Sequence, residues 1–127
     1  MSYCYARAVA GDFAEIVERT RHALSEAGFG VLTEINVQAT LKAKIGEDFR
    51  PYTILGACNP RMAYEALEME PHIGVMLPCN VIVQATEDGV EVAAVDPVAS
   101  MMAVKNPKLA AIAGDVKDQL QQVVSGL

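Results

Sequence analysis

Apolar positions recur along the chain with two periods. Phe13, Ile16, Val17, Thr20, Leu24 and Ala27 stand three or four residues apart, the spacing of one helix face. Glu15, Glu18, Arg19, Arg21 and Glu26 fill the opposite face. Asp12 and Glu15 have capping-box spacing at the start, and Gly28 is the expected stop. The pattern predicts a helix from about Phe13 to Ala27. A second stripe runs from Leu109 through Ile112, Val116 and Leu120 to Val124. Asn106-Pro107 opens it as cap and first helical residue, and Gly126 marks its end.

Between these stripes the period changes to two. Val31, Thr33, Ile35 and Val37 alternate with Leu32, Glu34, Asn36 and Gln38, which predicts a half-buried strand. Ala39 to Ile45 reads as a short helical turn closed by Gly46, and Glu47 to Pro51 as a loop. Ser2 to Ala10 and Tyr52 to Cys58 read as further strands. Asn59-Pro60 opens a helix of about ten residues that Pro71 ends. The run from Ile73 to Ala85 reads as a strand whose Pro78 marks an edge or a bulge. Glu87-Asp88-Gly89 is a hairpin signal before the alternating run Val90 to Val95. Asp96-Pro97 opens a turn carrying Met101 and Met102. The order is strand, helix, four strands with a short inserted helix, then a long helix. Antiparallel hairpins with two amphipathic helices predict a two-layer α+β fold. About five strands would be covered on one face by the two main helices.

At 127 residues the chain is read as one domain, 1–127, large enough to bury roughly 65% of its unfolded surface. Apolar residues make up 52% and charged residues 20%, a globular balance. Sixteen acidic against ten basic residues leave a net charge of -6. Nucleic-acid binding needs a basic face, so that class is disfavoured. No apolar run is long enough to span a bilayer. An odd cysteine count and the lack of a signal-peptide pattern at the start lead to an expected reducing, cytoplasmic location. So much apolar content also leads to an expected homodimer, burying the second sheet face or an edge.

Candidate chemistry concentrates in two similar tripeptides, Cys58-Asn59-Pro60 and Pro78-Cys79-Asn80. Antiparallel neighbours would bring the two thiols close. Cys58 precedes a helix cap, where free amide N–H groups favour a thiolate, so a lowered pKa is expected. Buried cysteine is also an ordinary small hydrophobe, and Asn59 is explained as a cap. No clustered Cys and His spacing suggests a metal, because His22 and His72 stand alone. Met76, Met101 and Met102 are soft atoms that serve more often as filler. Gly28-Phe29-Gly30 follows a helix, whereas a phosphate loop precedes one.

Tyr52-Thr53-Ile54-Leu55-Gly56-Ala57-Cys58-Asn59-Pro60 and Ile73-Gly74-Val75-Met76-Leu77-Pro78-Cys79-Asn80-Val81 resemble two hallmark segments of a prokaryotic family catalogued as domain of unknown function 302. Thr33 to Leu41 and Val95-Asp96-Pro97 are similar to two further segments. The resemblance runs from about Phe29 to Met102. It implies the order β-α-β-β-β-β-α, similar to one half of the TATA-box-binding saddle and often seen as a homodimer. It implies no assigned activity. The saddle likeness does not carry DNA binding onto an acidic chain. Asn36 departs from the family pattern, which often has Asp there, and this puts an acidic role at position 36 in doubt.

The expected function is therefore that of a small ligand-binding or sensing domain. Its pocket would lie near Cys58, Asn59, Cys79 and Asn80, with Glu34 and Asp96 completing the candidate set. Asp96 is most simply a cap, and Glu34 a solvated strand residue. The alternatives are an enzyme or sulfur/redox carrier with Cys58 as its catalytic thiol, and a structural dimerisation module. The sequence leaves any cofactor unknown. From charge alone, labelled duplex DNA at physiological salt should show no salt-dependent mobility shift with micromolar protein. Such a shift would overturn the reading of the charge balance.

Overall fold

The computed structural model describes residues 2–127. Five strands form one antiparallel sheet: β1 (Cys4–Val9), β2 (Gly30–Asn36), β3 (Tyr52–Cys58), β4 (Cys79–Thr86) and β5 (Gly89–Val95). Their spatial order is β1-β5-β4-β3-β2, so β4 is central and β1 and β2 are the edges. The helices are α1 (Phe13–Glu26), α2 (Val37–Ile45), α3 (Pro60–Met69), α4 (Pro97–Ser100) and α5 (Pro107–Ser125), with a 3₁₀ helix at Pro71–Met76. With the short helices set aside, the order is the expected β-α-β-β-β-β-α.

Strand register sorts the residues into two faces. Leu55 pairs with Val81, and Val81 with Ala94; Thr53 pairs with Val83, and Val83 with Val92. All of these are buried. Ile16, Val17 and Leu24 of α1 and Val116, Leu120 and Val124 of α5 join the same cluster. Both long helices therefore pack on one face, as the two stripes required. Each is capped as its sequence suggests. Asp12 accepts from the Glu15 amide, and Asn106 from those of Lys108 and Leu109. Arg7 adds a clamp that the sequence pattern does not reveal. Its Nη1 donates to the carbonyls of Val124, Ser125 and Leu127 at 3.2, 2.6 and 2.7 Å, where the helix dipole favours a cation.

Three expectations need correction. The alternating run is a strand only as far as Asn36, and within the strand only Val31 is even half-buried. The register shifts between Val31 and Thr33. Val31 stands beside Ala57 on the helix side, while Thr33 and Ile35 pair with Gly56 and Ile54 on the other face. One bulge thus splits a single apolar phase between two faces. Helix α2 then begins at Val37, and Asn36 Oδ1 accepts from the Ala39 amide at 2.9 Å. Asn at position 36 is a cap, a role that Asp would also fill.

The run from Ile73 to Ala85 is not one strand. Pro71–Met76 forms a 3₁₀ helix, and β4 starts only at Cys79. Pro78 lies just before the central strand, so it marks neither an edge nor a bulge within it. The Leu77–Pro78 peptide is cis. Pro78 and Thr33 close over Gly56, where an added Cβ would lie 2.8 Å from Pro78 Cγ and overlap Thr33 Oγ1.

Gly56→Ala should therefore destabilise the fold by roughly 1–3 kcal/mol through overpacking. Chemical denaturation reads this directly, and Gly56→Ala combined with Thr33→Ala should recover part of the loss. An unchanged midpoint for Gly56→Ala would refute the close approach.

Candidate functional site

Strand β3 ends at Cys58, and Asn59 turns the chain into α3. Asn59 Oδ1 accepts from the Met62 amide at 3.2 Å, and Pro60 holds the first helical position. Strand β4 starts at Cys79, which pairs with Ala57. The two strand ends therefore meet beneath α3 and α5. A cavity of about 40 Å³ lies there, lined by Cys58, Asn59 and Cys79. Met62 and Ala63 of α3, Met101 after α4, and Ile112 and Ala113 of α5 supply further wall. The lining is almost wholly apolar, with two thiols and two thioethers as its soft atoms.

Cys79 is 8% exposed, while Cys58 is half-buried; both are free thiols. Burial pushes the Cys58 thiol above its usual range. Burial also pushes Cys79 up to about 11, and the neighbouring Cys58 charge adds to this. The expected lowering at Cys58 is thus reversed. Pro60 has no N–H to offer, and Asn59 already occupies that of Met62. The helix start has little left for a thiolate, and desolvation prevails.

The other candidates stand elsewhere. Asn80 is exposed and pairs with Gly56, on the sheet face opposite the buried Cys79. A one-residue step along a strand reverses the face, so Cys79 and Asn80 cannot both address the cavity. Glu34 forms an ion pair with Arg21, tying β2 to α1. Asp96 Oδ1 accepts from the amides of Val98 and Ala99 at 2.9 and 3.3 Å, and its Oδ2 meets Lys117 Nζ at 3.2 Å. It is the cap of α4.

Sequence reasoning missed the helical walls of the cavity. Their only signal is the run of small residues, Ala63, Ala66 and Ala113, within apolar stripes. His22 pairs with Glu26 at the surface, and His72 is exposed in the 3₁₀ helix. Among the described residues no three His, Cys, Asp or Glu side chains gather as a metal site. None of the described helices is long and apolar enough to cross a membrane.

A family profile described as "Domain of unknown function DUF302" matches residues 5–127. A solved structure described as "Crystal structure of uncharacterized conserved protein DUF302 from Bacillus stearothermophilus" is similar, with a TM-score of 0.92 and 27% identity. The match covers 98% of each chain. No curated protein matches.

The shifted thiols carry a pH signature. An acid whose folded pKa is raised supports folding below its unfolded pKa, and that support is lost as pH rises through the folded value. Stability should therefore fall between about pH 9 and pH 11, and by less in Cys79→Ala measured against its own neutral-pH value. A thiol reagent at pH 8 should label Cys79 only on unfolding. Rapid native labelling of Cys79 would overturn the assignment.

Proposed function

The chain belongs to the DUF302 family, and from that premise we propose that it binds a small, mainly apolar ligand in the cavity beneath α3. The observation that carries this reading is the meeting of Cys58, Asn59 and Cys79 at one void. Protein interiors are close-packed and contain few voids larger than a water molecule. Apolar voids stay dry and take up apolar guests.

At about 40 Å³ the cavity suits a guest of one or a few heavy atoms. A larger guest requires α3 and the 3₁₀ helix to move aside. Their buried anchors, Ala66 and Ile73, form a small cluster with Leu109, separate from the main core. This supports a local opening that leaves the sheet and its two long helices intact. Protonated thiols and thioethers favour soft, uncharged groups.

A thiol-dependent enzyme at Cys58 receives less support. Burial disfavours the thiolate, and no basic or acidic side chain lines the cavity to take a proton.

Xenon is a suitable atom-sized probe. The wild-type protein should show saturable xenon-induced chemical-shift changes around Cys79 and Ala113. Ala63→Leu should abolish them while changing stability by no more than about 1 kcal/mol, because it fills space. Native mass spectrometry of gently purified protein should show a one-to-one adduct that Ala63→Leu lacks. Absence of both xenon uptake and adduct would end the proposal.

A further inference from the structure

We propose that the cavity beneath α3 is a site for a thiophilic monovalent cation, Cu(I), held by the sulfurs of Cys58, Cys79, Met62 and Met101. This deepens the ligand-binding reading and rests on it. Two of the chain's three cysteines and two of its six methionines border this one void. They come from four segments: Cys58 ends β3, Cys79 starts β4, Met62 lies in α3 and Met101 follows α4. No single stretch of sequence holds the set, so folding alone assembles it.

The strand register fixes the thiol pair. Cys79 stands opposite Ala57, which puts its Cα roughly 6 Å from that of Cys58 by ordinary strand spacings. Cys58 is the last residue of β3, where the chain leaves the sheet, so it borders the cavity together with Ala57. Charge on Cys58 raises the Cys79 pKa further, which marks the two thiols as close neighbours. The thioethers close the set from the helical side. Met62 packs against the main core, and Met101 against the small cluster of Ala66, Ile73 and Leu109. An ion held by both thioethers ties the small cluster to the main core.

The donor set selects the ion. Thiolates and thioethers are soft ligands that favour Cu(I). Zinc takes further strong donors from Cys, His or carboxylate, and among the described residues no third such side chain joins the two thiols. Asn59 is the one other polar side chain on the lining, and its Oδ1 already accepts from the Met62 amide. Charge points the same way, because burying uncompensated charge is costly. Cu(I) with one thiolate is neutral, and with both it carries a single negative charge; thioethers add none. Each thiol that binds breaks its S–H bond and sends the proton to water as a Cu–S bond forms, and copper stays Cu(I). Cys58 is the half-buried thiol and the point of entry, with Cys79 behind it at 8% exposure. A void of about 40 Å³ holds one dehydrated ion, since a water needs only roughly 10–15 Å³.

Anaerobic titration of the intact chain with Cu(I), in competition with the chelator bicinchoninate, tests this. Thermal melts confirm that each variant folds. The wild-type protein should retain one Cu(I) per chain, and Zn(II) far more weakly. Cys58→Ser and Cys79→Ser should each weaken retention about 100-fold or more, and the volume-conserving Met62→Leu and Met101→Leu about tenfold. Cys4→Ser should leave retention unchanged, because Cys4 lies outside this cavity. X-ray absorption should show sulfur alone around the copper. The proposal is overturned by no retained Cu(I), by equal retention of Zn(II), or by nitrogen or oxygen neighbours of the copper. Indifference to both methionine variants overturns it too, as does loss of binding in Cys4→Ser. Xenon uptake without Cu(I) retention refutes the ion and leaves the cavity reading standing, whereas that reading falls on the loss of both xenon uptake and adduct.

Discussion

One sheet face must be hidden with only two long helices, and the rest of the structure follows from how that cover is spent. Val81, Val83, Val92 and Leu55 lie under α1 and α5 with essentially no exposure. Their alternation along β3, β4 and β5 sends Ile54, Ile82, Glu91 and Ala93 to the opposite face. Period-two geometry leaves no choice in this, because a register slip would expose the core and bury Gln84 with Glu91. The uncovered face is the consequence of a well-formed core on the other side.

The same geometry divides the two cysteine-asparagine motifs. Both look alike in sequence, yet each plays its asparagine differently. Asn59 leaves the strand and caps α3. Asn80 remains within β4 and faces outward. Cys79 is drawn into the core cluster, and Cys58 stays at the strand end, half-buried. The thiols therefore share a wall of one cavity, and burial keeps them protonated against the pull of a helix start. Proline at the first helical position contributes to that balance by withholding a donor.

Much of the architecture was legible in the chain. The stripes of α1 and α5, the caps Asp12, Asn59, Asp96 and Asn106, and the Glu87-Asp88-Gly89 turn are all local signals. Local signals survive because a cap or a helical period depends on residues within one turn. Hence element order and the one-sided pair of helices could be read directly. The proximity of Cys58 and Cys79 also followed, since adjacent antiparallel strands bring their joined ends together.

Other features rest on contacts distant in sequence. The bulge in β2 turns one apolar phase into two faces, and no residue between Val31 and Thr33 announces it. Position within the sheet, not composition, makes Val83 buried and Ile35 exposed. The 3₁₀ helix at Pro71–Met76 hid inside an apolar run because apolar residues fill tight turns and strands alike. The direction of the Cys58 pKa depended on how deeply folding withdraws the thiol from water, a sum over neighbours from β3, α3 and α5. The chain by itself determined its two long helices, the caps Asp12, Asn59, Asp96 and Asn106, its strand count and the pairing of its two thiol-bearing strand ends. Only the tertiary structure decided which face each side chain meets, because burial is a property of what packs above a residue and not of the residue's neighbours in sequence.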